Sequence, residues 1–305
     1  LRCRGLIATT ARVAASPHPS HQHRIAKVFC FFFSKKKRFL YFLEMLTIPS
    51  LAGLWRRSLL AFPDGREDRT TKVAWLQAGP FYADLRQPAD MPDFSDAKCL
   101  HDMTMEDCRW LATQQGFAGI FRQVGDCFEW VRELDYCPAG PFKDIGRLAW
   151  QGDILVEEGR DVPYLEHWHR DEAAPSPVAS LALTAPGTLA RGFLVRAGAA
   201  FMVACGRAAP LPAGTDLAAL VAAAPDLAAA RQLLNCEISL GEIDGAAWRI
   251  TRSSLPFRRG DDLAPQMQPG GLSLAMRDDS GAACRRDWRI AYDTLTMFDA
   301  TNENL

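Results

Sequence analysis

From Leu51 onward the chain is written in short apolar or alternating runs rich in Trp, Phe, Val, Leu and Ile, each stopped by Gly, Pro, Asp or Asn. Such runs read as strands, because aromatic and β-branched side chains fit a pleated, half-buried surface and the stops supply the φ angles that turns need. Leu54 to Phe62 ends on Pro63-Asp64-Gly65, Thr70 to Gln77 ends on Ala78-Gly79-Pro80, and Phe81 to Gln87 follows directly. The same grammar predicts strands at Phe117 to Val124, Cys127 to Asp135, Arg147 to Trp150, Ile154 to Glu158 and Val162 to Arg170. Later it predicts Val178 to Thr184, Arg191 to Val195, Ala199 to Cys205, Asn235 to Leu240, Ala246 to Ser253, Leu272 to Arg277 and Asp287 to Tyr292. Hairpin following hairpin implies antiparallel neighbours, and so many strands need closure or a second sheet to protect their edges. The expected fold class is mainly β, a large antiparallel meander barrel with two helical insertions. These are Thr104 to Gln115, opened by Thr104 and Asp107 as a capping box, and the Ala-rich Thr215 to Leu234, broken at Pro225.

Charge separates the first segment from the rest. Residues 1–44 carry nine Lys or Arg and a single acid, Glu44, whereas the remainder has 26 basic against 35 acidic residues. We expect 1–44 to be a leader or translated upstream segment without fixed structure, and 45–305 to be the barrel. The Pro, Ala, Ser and Thr-rich stretch near 173–187 offers the alternative of two half-barrels joined there. An internal echo, Trp55-Arg56 with Pro63 and Trp248-Arg249 with Pro256, hints at duplication, though chance recurrence serves as well. An acidic body is not built to attract phosphate backbones, so no nucleic-acid partner is expected. The apolar runs Val28 to Phe33 and Phe39 to Leu43 are interrupted by Ser34-Lys35-Lys36-Lys37-Arg38 and fall short of the roughly 18 to 20 residues that span a bilayer, so no membrane partner is expected. Seven cysteines follow the leader, none in a C-x-x-C pair, which suits free thiols in a reducing cytoplasm.

His167-Trp168-His169 is the sharpest local feature, because alternate residues of a strand share a face ~6–7 Å apart, close enough to grip one metal ion. A third ligand would come from Glu129, Asp84 or His101. The pattern resembles the His-x-His of cupins but departs from it, since only Arg170 and Asp171 separate His169 from Glu172 and no later His exists. Hydrogen-bonded or surface histidines are the preferred reading, and no metal or cofactor is assigned. Tyr82, Asp84 and Arg86 alternate with Phe81, Ala83 and Leu85, so one face of this strand is polar. If it turned inward, Arg86 would bind an anion by paired hydrogen bonds; an outward, solvated face is the ordinary reading and the one preferred. Glu129, Glu133, Glu157, Glu158 and Glu166 lie near Trp130, Tyr136, Tyr164 and Trp168, and a carboxyl beside an indole in a dry pocket is tuned for acid–base work. Glu166 and His167, being adjacent, cannot share a face. Eight tryptophans could line a cavity, with Trp75 or Trp130 in contact with any ligand. No Walker loop, G-x-G-x-x-G, H-E-x-x-H or G-x-S-x-G occurs.

Gly53-Leu54-Trp55 resembles the Gly-x-Trp signature of lipocalins and other calycins, in which the Trp plugs one barrel end beneath an Arg from the final strand. By that resemblance Arg289, beside Trp288, would fill the Arg role. Over Leu51 to Tyr292 the chain is also similar to bacterial relatives of the fungal Hri-type proteins, on the run around Trp55, Phe81 to Gln87, Val156 to Arg170, and Trp248-Arg249-Ile250 through Pro256. The resemblance implies a calycin-like barrel and leaves the chemistry open. The expected function is binding of a small, partly apolar molecule, anionic ones included, with Trp75, Tyr82, Asp84, Arg86, Trp130 and Tyr164 as ligand contacts. An enzyme of hydratase, isomerase or lyase type, with His167, His169, Glu166 and Glu129 as catalytic groups, is the alternative from another class. A scaffold for protein partners is the third.

Overall fold

The computed structural model describes residues 46–278 and 280–293, so the segment 1–44 lies outside the described residues. A 3₁₀ turn, Pro49–Leu51, leads into β1 (Gly53–Ala61), β2 (Glu67–Asp68), β3 (Lys72–Ala78) and β4 (Phe81–Gln87). After a second 3₁₀ turn, Leu100–Asp102, and the helix α1 (Met105–Leu111) come β5 (Gln115–Val124), β6 (Cys127–Asp135), β7 (Ile145–Gln151), β8 (Ile154–Gly159) and β9 (Leu165–Arg170). The hydrogen-bonded order is β1-β3-β4-β5-β6-β7-β8-β9, and β9 pairs back onto β1, so these strands close into an antiparallel eight-stranded barrel with β2 appended to β1. Closure removes the free edges that a meander would otherwise expose.

The chain then builds a second sheet from β10 (Val178–Thr184), β11 (Arg191–Ala197), β12 (Ala200–Cys205), β13 (Glu237–Asp244), β14 (Ala247–Ser253), β15 (Gln266–Gln268), β16 (Gly271–Arg277) and β17 (Ala283–Asp293). Its order is β14-β13-β12-β11-β10-β17-β16-β15, a half-barrel whose ends, β14 and β15, are not laddered together. Traced from β10, it repeats the plan of the barrel. In both units the first strand pairs with the last, and a helical insertion follows the third laddered strand: α1 after β4, and α2 (Leu217–Ala222) with α3 (Leu227–Leu233) after β12. The half-barrel is open where the corresponding barrel seam, β6 to β7, is thin, held by Phe128 opposite Gly146 and Glu129 opposite Ile145. The Trp55 and Trp248 echo does not map onto this repeat, because Trp55 sits on the first barrel strand and Trp248 on β14, the fifth of its unit.

Local sequence explains the insertions. Thr104 and Asp107 form the capping box, each side chain taking the other's backbone amide, and β5 takes over at Gln115. The Ala-rich insertion splits at Pro225, with Asp216 and Asp226 capping the two short helices.

The barrel and half-barrel pack face to face. Ala74, Leu76, Phe81, Ala83 and Leu85 on the outside of β3 and β4 meet Phe193, Val195, Met202, Ala204, Ile238 and Leu240, with helical Leu111, Leu217, Val221 and Leu234 joining the same core. A buried polar strip crosses this interface: Gln87 Nε2 donates to Gln114 Oε1 (2.7 Å) and Ser253 O (3.0 Å), and Gln114 Nε2 to Ser254 O (3.0 Å). β4 is therefore covered on both faces, one by the second sheet and one by the barrel interior. That overturns the solvated reading of Tyr82, Asp84 and Arg86, which point into the barrel. Period-two alternation marks two different surroundings, here an apolar interface and a polar interior rather than core and water.

Among the described residues no helix is long and apolar enough to cross a membrane. The seven cysteines after the leader are all free thiols, most of them buried.

Candidate functional site

The barrel interior is layered. Its closed end is filled by Trp55, whose Nε1 donates to Leu51 O at 2.9 Å, with the Arg170 guanidinium 5.1 Å from the ring centre. Gly53 makes this arrangement feasible, since its φ is +144° and a Cβ there would stand 2.9 Å from Arg170 Cδ. The Arg that covers the tryptophan thus comes from β9, the last strand of the barrel. Arg289 is instead exposed on β17 of the half-barrel, opposite Thr184 and Gly271, which corrects the role given to it by resemblance.

Above Trp55 comes an aromatic layer. Trp75 lies 5.4–5.6 Å, centre to centre, from Trp55, Phe121, Trp130 and Trp168, and Phe121 stacks on Phe128 at 5.4 Å. Edge-to-face and offset pairs of this kind add ~0.5–1.5 kcal/mol each beyond area burial. The rings pack on one another, so this part of the interior is a plug and not a chamber.

The opposite end of the interior, the mouth end, is charged, with Asp84, Glu157 and Glu166 buried. Arg57 donates to Glu166 (2.6 Å) and Asp68 (2.7 Å), Arg86 to Asp84 (2.8 Å), and Arg132 to Asp144 (2.6 Å); Arg86 also stands 3.7 Å from Glu166 and Arg132 3.5 Å from Asp135. Among the described residues Glu157 has no guanidinium partner. It accepts from Trp168 Nε1 at 3.0 Å and from the Tyr164 hydroxyl at 2.6 Å, while that hydroxyl lies 3.3 Å from Asp144. Around the mouth Asp68, Asp84, Asp135, Asp144, Glu157 and Glu166 outnumber Arg57, Arg86 and Arg132 two to one.

Burial sets the protonation. It pushes Glu157 well above the usual carboxylate range, helped by the charges of Glu166 and Asp144. Burial raises Glu166 and Asp84 as well, against the pull of Arg86 and Arg57. Asp135 is pushed up to about 6 by burial, partly offset by Arg132. Burial works to raise Asp68 too, yet the Thr71 and Thr70 amides and Arg57 bring it down to about 2. Within the barrel interior two buried donors, the Tyr82 hydroxyl and Trp75 Nε1, find no partner among the described residues. An orphaned buried polar group costs ~1–3 kcal/mol, which a hydrogen-bonding ligand or water would recover.

All six sequence-predicted ligand contacts, Trp75, Tyr82, Asp84, Arg86, Trp130 and Tyr164, belong to this interior. The four predicted catalytic residues are not brought together. Glu166 is inside, while His167 and His169 are on the outer face of β9, where His169 Nε2 lies 2.8 Å from exposed Ser58 Oγ. The His167 imidazole has its pKa lowered, first by burial and then by Arg69 and His169. Glu129 sits on the outside of β6 and is held by Arg122 at 2.7 Å and Lys143 at 3.6 Å. Among the described residues no group of three or more His, Cys, Asp or Glu is disposed to hold a metal ion. Sequence reading missed Arg57 as a site residue, although it lies two positions after Trp55 and so shares its inward face.

No protein-family model and no curated protein matches the chain. Among solved structures, the uncharacterized protein YLR301w from Saccharomyces cerevisiae is similar, with a TM-score of 0.44 and 12% identity over 79% of this chain and 98% of that one.

Proposed function

We propose that the charged mouth of the barrel binds a small molecule through a cationic, hydrogen-bond-donating head group, with the aromatic plug as a floor for its apolar part. The observation that carries this reading is Glu157, buried among acids with no ion-pair partner among the described residues. A ligand cation would stabilise the ionised carboxyl that burial disfavours, and the Tyr82 hydroxyl, unpartnered among the described residues, would give it a further contact. This inverts the charge expected from sequence. Arg86 is occupied by Asp84 and Glu166 and has little left to offer an anion.

The test is a titration at pH 8 with n-butylamine and, separately, butyrate, followed by calorimetry in buffers of different ionisation enthalpy. The amine should bind with proton release and lose affinity in Glu157→Gln. Butyrate binding as tightly, or an amine that does not bind, would end the proposal.

Acid–base catalysis at the same mouth is the second reading, favoured by two facing carboxyls in unlike surroundings, Glu157 against an indole and a phenol, Glu166 against two guanidinium groups. It would use these two groups and neither histidine. A calycin-like ancestry is supported by the 3₁₀ turn before β1, by Gly53 and Trp55, and by Arg170 over the indole. The free thiols suit a reducing cytoplasm.

A further inference from the structure

A second site is built outside the barrel, where one end of the half-barrel meets the helical insertions. A cavity of about 320 Å³ opens there, at the small end of the ~300–1,000 Å³ range of small-molecule pockets. Leu255, Phe257 and Met276 give it an apolar wall, and four guanidinium groups reach it from Arg231, Arg258, Arg277 and Arg286.

Three of those four are already engaged. Arg231 is spent on Met103 O at 2.6 and 3.0 Å, Arg258 on Glu237, Asp261 and Ala275 O, and Arg277 on Asp261 and Gly281 O. Arg286 is exposed, its guanidinium 5.9 Å from the Trp288 ring centre, and among the described residues no carboxylate pairs with it. Asp278, also on the lining, is turned toward the amides and hydroxyl of its own loop at Ser280 and Ala282.

Glu237 supplies the opposite polarity. It is only 3% exposed, and its Oε1 accepts from Arg258 Nε at 3.1 Å and Ser239 Oγ at 2.7 Å. Its Oε2 is buried and has no partner among the described residues. A carboxylate oxygen left dry in this way calls for a donor, and a charged donor satisfies it best.

We propose that this cavity is a ligand site for a small zwitterion with the groups of a free α-amino acid, its ammonium on Glu237 Oε2, its carboxylate on Arg286, and its side chain against Leu255, Phe257 and Met276. The proposal stands apart from the barrel mouth, since the two sites share no residue.

The experiment is a ¹⁵N-resolved titration of the full chain with glycine, alanine, leucine, phenylalanine and glutamate in turn, with propionate and n-propylamine as singly charged controls. At least one amino acid should shift the amides of 231–237, Leu255, Phe257, Arg258 and 284–286 and bind more tightly than either control. Arg286 is exposed, so Arg286→Ala should leave the fold intact and weaken that binding roughly tenfold or more, as expected for a lost charge-assisted bond. Glu237→Gln should weaken it as well, with a thermal melt to show that the variant is folded. Propionate matching the best amino acid, shifts confined to the barrel mouth, no response at all, or an Arg286→Ala variant that binds unchanged would each overturn the assignment.

Discussion

Glu157 and Glu166 stand directly opposite one another across β8 and β9, both turned into the barrel, and among the described residues Glu166 alone of the two has arginine partners. Two carboxyls so placed cannot both ionise cheaply. The folded protein holds protons there to a higher pH than the unfolded chain. Stability from these groups and from Asp135 is therefore complete below the ordinary carboxylate range and is lost as pH rises through the folded values, about 6 for Asp135. Glu157→Gln removes the titrating carboxyl and keeps the shape: its carbonyl takes Trp168 Nε1–H, its amide donates to Tyr164, and the Tyr164 proton turns to Asp144. Urea denaturation should show the variant more stable than the parent at pH 8 and close to it at pH 5. An unchanged pH slope would mean that Glu157 is already ionised at no cost.

Arg57, with its side chain 4% exposed, bridges Glu166 and Asp68. Arg57→Met strands a buried carboxylate and should cost ~3–5 kcal/mol at pH 7. Adding Glu166→Gln should return a good part of that loss, a coupling readable from a double-mutant cycle. A single-variant loss under ~1 kcal/mol would show that the pair is screened like a surface one.

Gly53→Ala should destabilise for two separable reasons, its φ of +144° and the approach of a new Cβ to the Arg170 stem. The expected cost is ~1–3 kcal/mol from the backbone alone. Arg170→Ala in the same chain should relieve the steric part and leave the backbone part, so the double variant should lose less than the sum of the singles in thermal unfolding.

Gln114→Leu leaves the Gln87 amide and the Ser254 carbonyl short of partners at the interface of the two sheets. A cost of ~1–3 kcal/mol per stranded group is expected. Amide exchange should quicken around Ser253 and Ser254 while the far side of the barrel, at β7 and β8, stays protected. Uniform acceleration across the whole chain would indicate that the two sheets unfold as one unit.

Much of the fold was legible because its local signals agree. Val178 to Thr184, Cys127 to Asp135 and Phe81 to Gln87 form strands with the bounds that turn chemistry predicts. β13 runs on to Asp244, past the predicted end at Leu240, because Gly241 gives Phe201 room: a Cβ there would come within 2.3 Å of its ring. What a single strand cannot show is its neighbour. Whether Asp84 faces water, and which carboxyl opposes Glu166, depends on closure and on the register set by the 160–164 loop. The Arg above Trp55 was sought at the end of the chain, yet closure happens at β9, so Arg170 holds that place. Arg57 lies two positions after Trp55, so period two alone marks it as inward.

Because Trp75 lies 5.4 Å from Trp130 and 5.5 Å from Trp168, with the ring planes inclined at 67° and 70°, the excited states of these indoles couple at an angle that gives rotational strength. The barrel carries a built-in optical signature: an exciton couplet in the far-ultraviolet dichroism that exists only while the strands hold those indoles in register, and that vanishes when β1 and β9 part.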